Sequence, residues 1–148
     1  MTDQFSLTDK VIIVTGGTGI LGNSFVNGIV EAGGTVGILG RNKAVAEERA
    51  EIINSNGGKA IALVADVMNS GELIVAKKKI LNAFGRIDGL VNGAGGNMPS
   101  GVLQSEDDIF SMNLDGMKQV MELNLWGTAL SYPNIWRGNF QNRERQHR

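Results

Sequence analysis

The stretch "VIIVTGGTGILG" limits the fold of this chain more than any other. A β-branched run, Val11–Val14, ends in glycines, and Gly17-x-Gly19-x-x-Gly22 follows at once, opening an apolar segment with helical spacing. A run that is apolar at successive positions predicts a strand covered on both faces rather than one with a wet side. A glycine turn between such a strand and a helix brings unpartnered backbone N–H groups and the positive end of the helix dipole to one point, which suits a pyrophosphate. Gly17 and Gly19 would permit the turn and a close approach, and Gly22 would let the helix pack on the sheet. Gly16, Thr18, Ile20 and Leu21 complete the candidate loop. The same spacing also occurs in plain glycine-rich turns. A Walker-type loop is excluded, because no Gly-Lys-Ser/Thr follows.

The rest of the chain repeats the alternation. Strands are predicted at "TVGILG", "KAIALVADV" and "RIDGLVNGAG", and helices at "ILGNSFVNGIVEAG", "NKAVAEERAEIINSNGG" and "NSGELIVAKKKILNAFG". The expected sheet-facing residues are Ile20, Phe25, Ile29 and Val30 on the first helix and Val45, Ala46, Ile52 and Ile53 on the second. On the third they are Leu73, Val75, Ile80, Leu81 and Phe84, with Ser70 as its N-cap. A loop or short helix precedes a longer helix from about Asp115. Right-handed crossovers then give an α/β fold, a Rossmann-like doubly wound parallel sheet of strand order 3-2-1-4. A chain of 148 residues suffices for one domain and not two.

Composition narrows the chemistry. The chain has no Cys and a single His, His147, near its end, which excludes a thiolate zinc site and a Ser-His-Asp triad; no metal is expected. No apolar run could span a membrane, and the N-terminus has no signal-peptide core, so a cytoplasmic location is expected. At the end of the second strand an acid would grip the ribose 2′-hydroxyl of NAD. This chain has "ILGRN" instead, and Arg41, beside Asn42, suits the 2′-phosphate of NADP.

Four motifs occur in order at suitable intervals: "TGGTGILG", "ADV" after the third strand, "NGAGG" after the fourth, and "ELNLWGT" in the following helix. Together they resemble the short-chain dehydrogenase/reductase family, from about Lys10 to Thr128. The resemblance implies an NADP- or NAD-dependent oxidoreductase with Asp66 and Val67 at the adenine. Asn92, Gly93, Ala94 and Gly95 would lie along the cofactor, with Gly93 replacing the second Asn of the family's Asn-Asn-Ala-Gly. Asn124 would support the proton relay. "NGAGGNMP" with "FSMNLDGMKQVMELNLWGT" is most similar to the sugar-acid branch, the D-mannonate or fructuronate type. The resemblance also implies dimers or tetramers in intact members.

The family's catalytic Ser and Tyr-x-x-x-Lys have no counterpart here. The one tyrosine, Tyr132, is followed four residues later by Trp136, and no lysine occurs beyond Lys118. The later strands and helices of a domain of about 250 residues are missing as well. The composition also changes after Thr128. Fourteen acidic and ten basic residues precede that point, whereas four Arg, one Glu and no Lys follow it. A domain over 1–128 and an aberrant basic tail over 129–148 are therefore expected. Codons for Tyr132–Arg143, read from the second base, permit Thr-Gln-Ile-Phe-Gly-Glu-Ala-Ile-Ser-Lys-Thr. Out-of-frame translation after Thr128 would explain the shift, and the tail would then join no fold. The rival is a nucleic-acid-binding tail, with four Arg and the aromatics Tyr132, Trp136 and Phe140. The absence of Lys and the abrupt onset inside a helix count against it.

Overall fold

The computed structural model describes residues 4–103 and 105–136. Four strands, β1 (Val11–Thr15), β2 (Thr35–Gly40), β3 (Lys59–Val64) and β4 (Gly89–Asn92), form one parallel sheet of order β3-β2-β1-β4. Register is continuous, with Val11 opposite Thr35, Ile12 opposite Gly89 and Thr35 opposite Lys59. Helices α1 (Ile20–Glu31), α2 (Lys43–Ser55) and α3 (Ser70–Phe84) make the crossovers.

The uniform apolar character of β1 follows from its having no wet face. Ile12 and Val14 point to a cluster with Val26, Ile29, Ala46, Ala50 and Ile53 from α1 and α2. Val11 and Ile13 point to the other side, against Leu73, Ala76 and Ile80 of α3 and Ile135 near the end of the described chain. Among the described residues β4 pairs only with β1, and its own residues are half-buried to exposed.

The expected faces hold in part: Ile29, Ala46, Ile53, Leu73 and Ile80 are buried, and Val30, Leu81 and Phe84 pack against the core. The buried stripes are Gly22, Val26 and Ile29 on α1, Ala46, Ala50 and Ile53 on α2, and Leu73, Ala76 and Ile80 on α3. Ile20, Phe25, Ile52 and Val75 are exposed instead. Small residues set the contact line: alanine lets α2 and α3 lie close to the sheet, while larger apolar side chains on the flanks stay half in water. The cap of α3 is Asn69, not Ser70. Its Oδ1 accepts from the Gly71 and Glu72 amides at 3.0 and 3.2 Å. Glu72 reaches back to accept from Asn69 Nδ2 at 2.9 Å and from the Asp66 amide at 2.7 Å, tying the helix start to the end of β3.

After two short 3-10 turns, Pro99–Gly101 and Ile109–Ser111, Asn113 caps α4 (Leu114–Met121). The helix then widens into a π turn (Glu122–Trp126), tightens in α5 (Gly127–Ser131) and widens again over Tyr132–Trp136. A π turn shifts the backbone hydrogen bond by one residue, and here side chains reach the carbonyls four residues back. Asn124 Nδ2 donates to Val120 O at 2.8 Å, Thr128 Oγ1 to Asn124 O at 3.1 Å, Ser131 Oγ to Gly127 O at 2.8 Å, and Asn134 Nδ2 to Leu130 O at 2.8 Å. Thr128 is therefore no structural boundary. Ser131 and Ile135 are fully buried, and Asn134 Nδ2 also donates to Ser70 Oγ at 3.2 Å. Residues 129–136 continue the helix, with Ile135 in the α3-side core. The Arg-rich segment 137–148, with Phe140 and His147, lies outside the described residues. No helix among the described residues is long and apolar enough to cross a membrane.

Asp88 ties the start of β4 to β1. Its Oδ2 accepts from the Val11 amide at 2.9 Å, and Arg86 grips both carboxylate oxygens, at 2.8 and 2.5 Å. Burial alone would push this carboxyl up; the Arg86 hydrogen bond, the Val11 amide and nearby cations outweigh it and hold it below its ordinary value of 3.8. A carboxyl held low in the folded state stabilises fully above its unfolded value and stops doing so as pH falls through the folded one. Asp88→Asn is expected to cost about 2 kcal/mol near neutral pH. Urea midpoints should show that difference closing below pH 3.8.

Candidate functional site

A cleft of about 380 Å³ opens at the carboxyl ends of the strands. It lies where the sheet runs from β1 to β2 on one side and to β4 on the other, the point at which doubly wound folds leave room for a ligand. Gly16, Thr18, Gly19, Ile20, Leu21 and Gly22 line its base, and Leu39, Gly40 and Arg41 line the end of β2. Ala65, Asp66 and Val67 follow β3, Gly93, Ala94 and Gly95 follow β4, and Leu123 comes from the terminal helix.

The base is shaped by two glycines. Gly16 has φ +67°, and a Cβ there would lie 2.6 Å from Gly93 O. A Cβ on Gly22 would run into the Gly16 carbonyl oxygen, so α1 starts in direct contact with the turn. The turn holds itself through Gly17 N–H to Leu39 O and Gly19 N–H to Gly16 O, both at 2.9 Å. Gly19 is the N-cap of α1 and has no side chain with which to cap it, and the first turn carries no acid. The opening amides of α1 and its dipole are thus left to whatever occupies the cleft. Beneath the loop, Arg49 Nη1 donates to Gly17 O at 2.5 Å and to Gly19 O at 3.1 Å.

At the far end Arg41 Nη1 stands 4.0 Å from Asp66 Oδ2, an exposed and weak pair. Asp66 also forms a turn, its Oδ1 accepting from the Met68 amide at 2.9 Å. On the β4 side, Asn124 braces the loop: its Oδ1 accepts from Gly96 N–H at 3.2 Å and its Nδ2 donates to Gly96 O at 2.7 Å. The Ala94 amide donates to Thr15 Oγ1 at 3.2 Å.

Of the residues singled out in the sequence, Gly16, Thr18, Gly19, Ile20, Leu21, Gly22, Arg41, Asp66, Val67, Gly93, Ala94 and Gly95 meet at this cleft. Four lie off its surface. Gly17 is turned under the loop, and Asn42 caps α2, accepting from Val45 N–H at 3.2 Å. Asn92 ends β4 opposite Thr15, and Asn124 acts through Gly96. Sequence reasoning missed Arg49 and Leu123. For Arg49 a signal existed: it is a charged residue between Ala46, Ala50 and Ile53 on the buried stripe of α2. Neither Tyr nor Lys lines the cleft. Tyr132 is exposed, and Trp136 packs against the α3-side core. Among the described residues, no group of three or more His, Cys, Asp or Glu could hold a metal ion.

A family model described as short chain dehydrogenase matches residues 10–135. The uncharacterized oxidoreductase UxuB of Bacillus subtilis is 33% identical over 134 residues, which cover 85% of this chain and 48% of that protein. A solved structure from Haemophilus influenza, described as a candidate D-mannonate oxidoreductase with bound NAD, superposes with a TM-score of 0.79 at 28% identity, covering 90% of this chain and 51% of that one. A gluconate 5-dehydrogenase from Burkholderia cenocepacia, in complex with NADP and tartrate, gives 0.77 at 26% identity, covering 92% and 51%. The chain spans about half the length of the curated relatives it matches.

The contact between Gly22 and Gly16 is directly testable. Gly22→Ala must push α1 off the turn and is expected to cost about 1–3 kcal/mol, as overpacking does. A urea midpoint unchanged from the parent chain would contradict the geometry.

Proposed function

The chain belongs to the short-chain dehydrogenase family, and on that footing we propose that the cleft binds a nicotinamide dinucleotide, with NADP preferred over NAD. One observation carries the reading: a helix start with neither side-chain cap nor acid faces a glycine turn, in a cleft with a cation at its far end. The amides around Thr18, Ile20 and Leu21 would hold the pyrophosphate. Arg41 would meet the 2′-phosphate, giving up its weak pairing with Asp66. Asp66 and Val67 would flank the adenine, and the segment Asn92–Gly95, braced by Asn124, would run beside the nicotinamide half. The relatives' ligands include both NAD and NADP, so the preference rests on Arg41.

When bound, the cofactor supplies hydride transfer between its nicotinamide and a carbonyl or hydroxyl carbon. For the intact protein we propose a sugar acid of the D-mannonate or fructuronate type as substrate, supported by the "NGAGGNMP" and "ELNLWGT" motifs and by the candidate mannonate oxidoreductase among the structural relatives. Such chemistry also needs a proton donor and a group holding the substrate oxygen. Since this sequence has no Tyr-x-x-x-Lys, the 148-residue chain binds cofactor without turnover. A change of reading frame near Thr128 accounts for that lack. Sequencing the gene region tests it, and the absence of a Tyr-x-x-x-Lys continuation in another frame would rule it out.

NADPH fluorescence titration of the 148-residue chain is expected to show binding roughly tenfold tighter than for NADH, the worth of one charge-assisted hydrogen bond. Arg41→Ala should abolish the difference. Absence of binding by either nucleotide, or steeply salt-dependent binding to RNA in its place, overturns the reading.

A further inference from the structure

We infer that Arg49, a residue outside the cleft, is a positioning residue for the anion-binding loop: it orients two backbone N–H donors from behind. This rests on the dinucleotide reading and goes beyond it. The argument begins with the peptide plane. In a trans peptide the carbonyl of one residue and the N–H of the next point in opposite directions. Arg49 Nη1 takes the carbonyl oxygens of Gly17 and Gly19, at 2.5 and 3.1 Å. The N–H groups joined to those carbonyls belong to Thr18 and Ile20, and both residues line the cleft. Pulling the two carbonyls toward α2 therefore turns those two donors toward the ligand.

Two further observations fit a positioning role. Glycine leaves the Gly17–Thr18 peptide plane easy to rotate; the Gly19 carbonyl also accepts from the Asn23 amide at 3.1 Å, so the hold of Arg49 matters most at Thr18. Among the described residues no carboxylate stands within 4.0 Å of the Arg49 guanidinium, so its charge adds to the positive potential behind the loop and is not cancelled locally. Both bonds come from the one nitrogen Nη1; a lysine ammonium has donors enough for two carbonyls but sits one bond shorter, so it reaches them less well.

The test compares ADP-ribose, which carries the pyrophosphate, with adenosine, which does not, using NMR titration of the 148-residue chain. Arg49→Met is expected to weaken ADP-ribose binding roughly tenfold, leave adenosine binding unchanged, and speed amide exchange at Thr18 and Ile20 in the ligand-free protein. Arg49→Lys should fall between the two and carries the comparison if Arg49→Met does not fold. A brace with no effect on the donors would weaken both ligands equally, and that result overturns the inference. So does ADP-ribose binding by Arg49→Met equal to that of the parent chain. If the parent binds neither ligand, the dinucleotide reading falls and this one with it.

Discussion

The cleft depends on how close α1 begins to the end of β1. Contact between Gly22 and the Gly16 carbonyl sets that distance, and no residue with a side chain could keep it. From this one approach follow the direction of the helix dipole, the exposure of the first-turn amides and the phase of the whole helix. Once Gly22 is at the contact, Val26 and Ile29 must face the sheet, and Ile20 must stand at the mouth of the cleft. The most exposed large side chain of α1 thus occupies its place because of the smallest one.

Layering was legible in the sequence because it rests on coarse physics. Apolar runs without alternation mean strands covered on both faces, and their alternation with helical segments leaves few chain paths. With the glycine turn after the first strand they point to the order β3-β2-β1-β4. Helix phase was less legible. Large apolar residues draw attention, yet the contact lines of α2 and α3 run through Ala46, Ala50 and Ala76, where a methyl group allows close packing and a longer side chain would hold the helix away. Arg49 was overlooked for a related reason: a cation on a helix is ordinarily solvated, and its place beside the alanine stripe gains meaning once the glycine loop brings two carbonyls within its reach.

Most of the candidate site was legible as well, because glycine spacing and the residues at strand ends are local signals. The division of labour among them was not. Asn92 ends the fourth strand and Asn124 lies on the helix that follows, and it is Asn124 that grips the loop, through both polar atoms of Gly96. Which asparagine would do so depends on where a helix some thirty residues away comes to rest. That position is fixed by the π turns and the polar side chains that bridge them, features with no period for a sequence to display.

The burial of Ile135 also bears on how far apart in the chain the core contacts lie. The face under α1 and α2 is closed by segments adjacent in the chain, and short loops close at little entropic cost. The opposite face is completed only when Ile135 reaches Leu73, Ile80 and Ile87, across a much longer span of chain. Contacts of high sequence separation slow folding. The two sides of one sheet thus differ in the length of chain that closes them, and the long-range side is the one that carries Leu123 to the rim of the cleft.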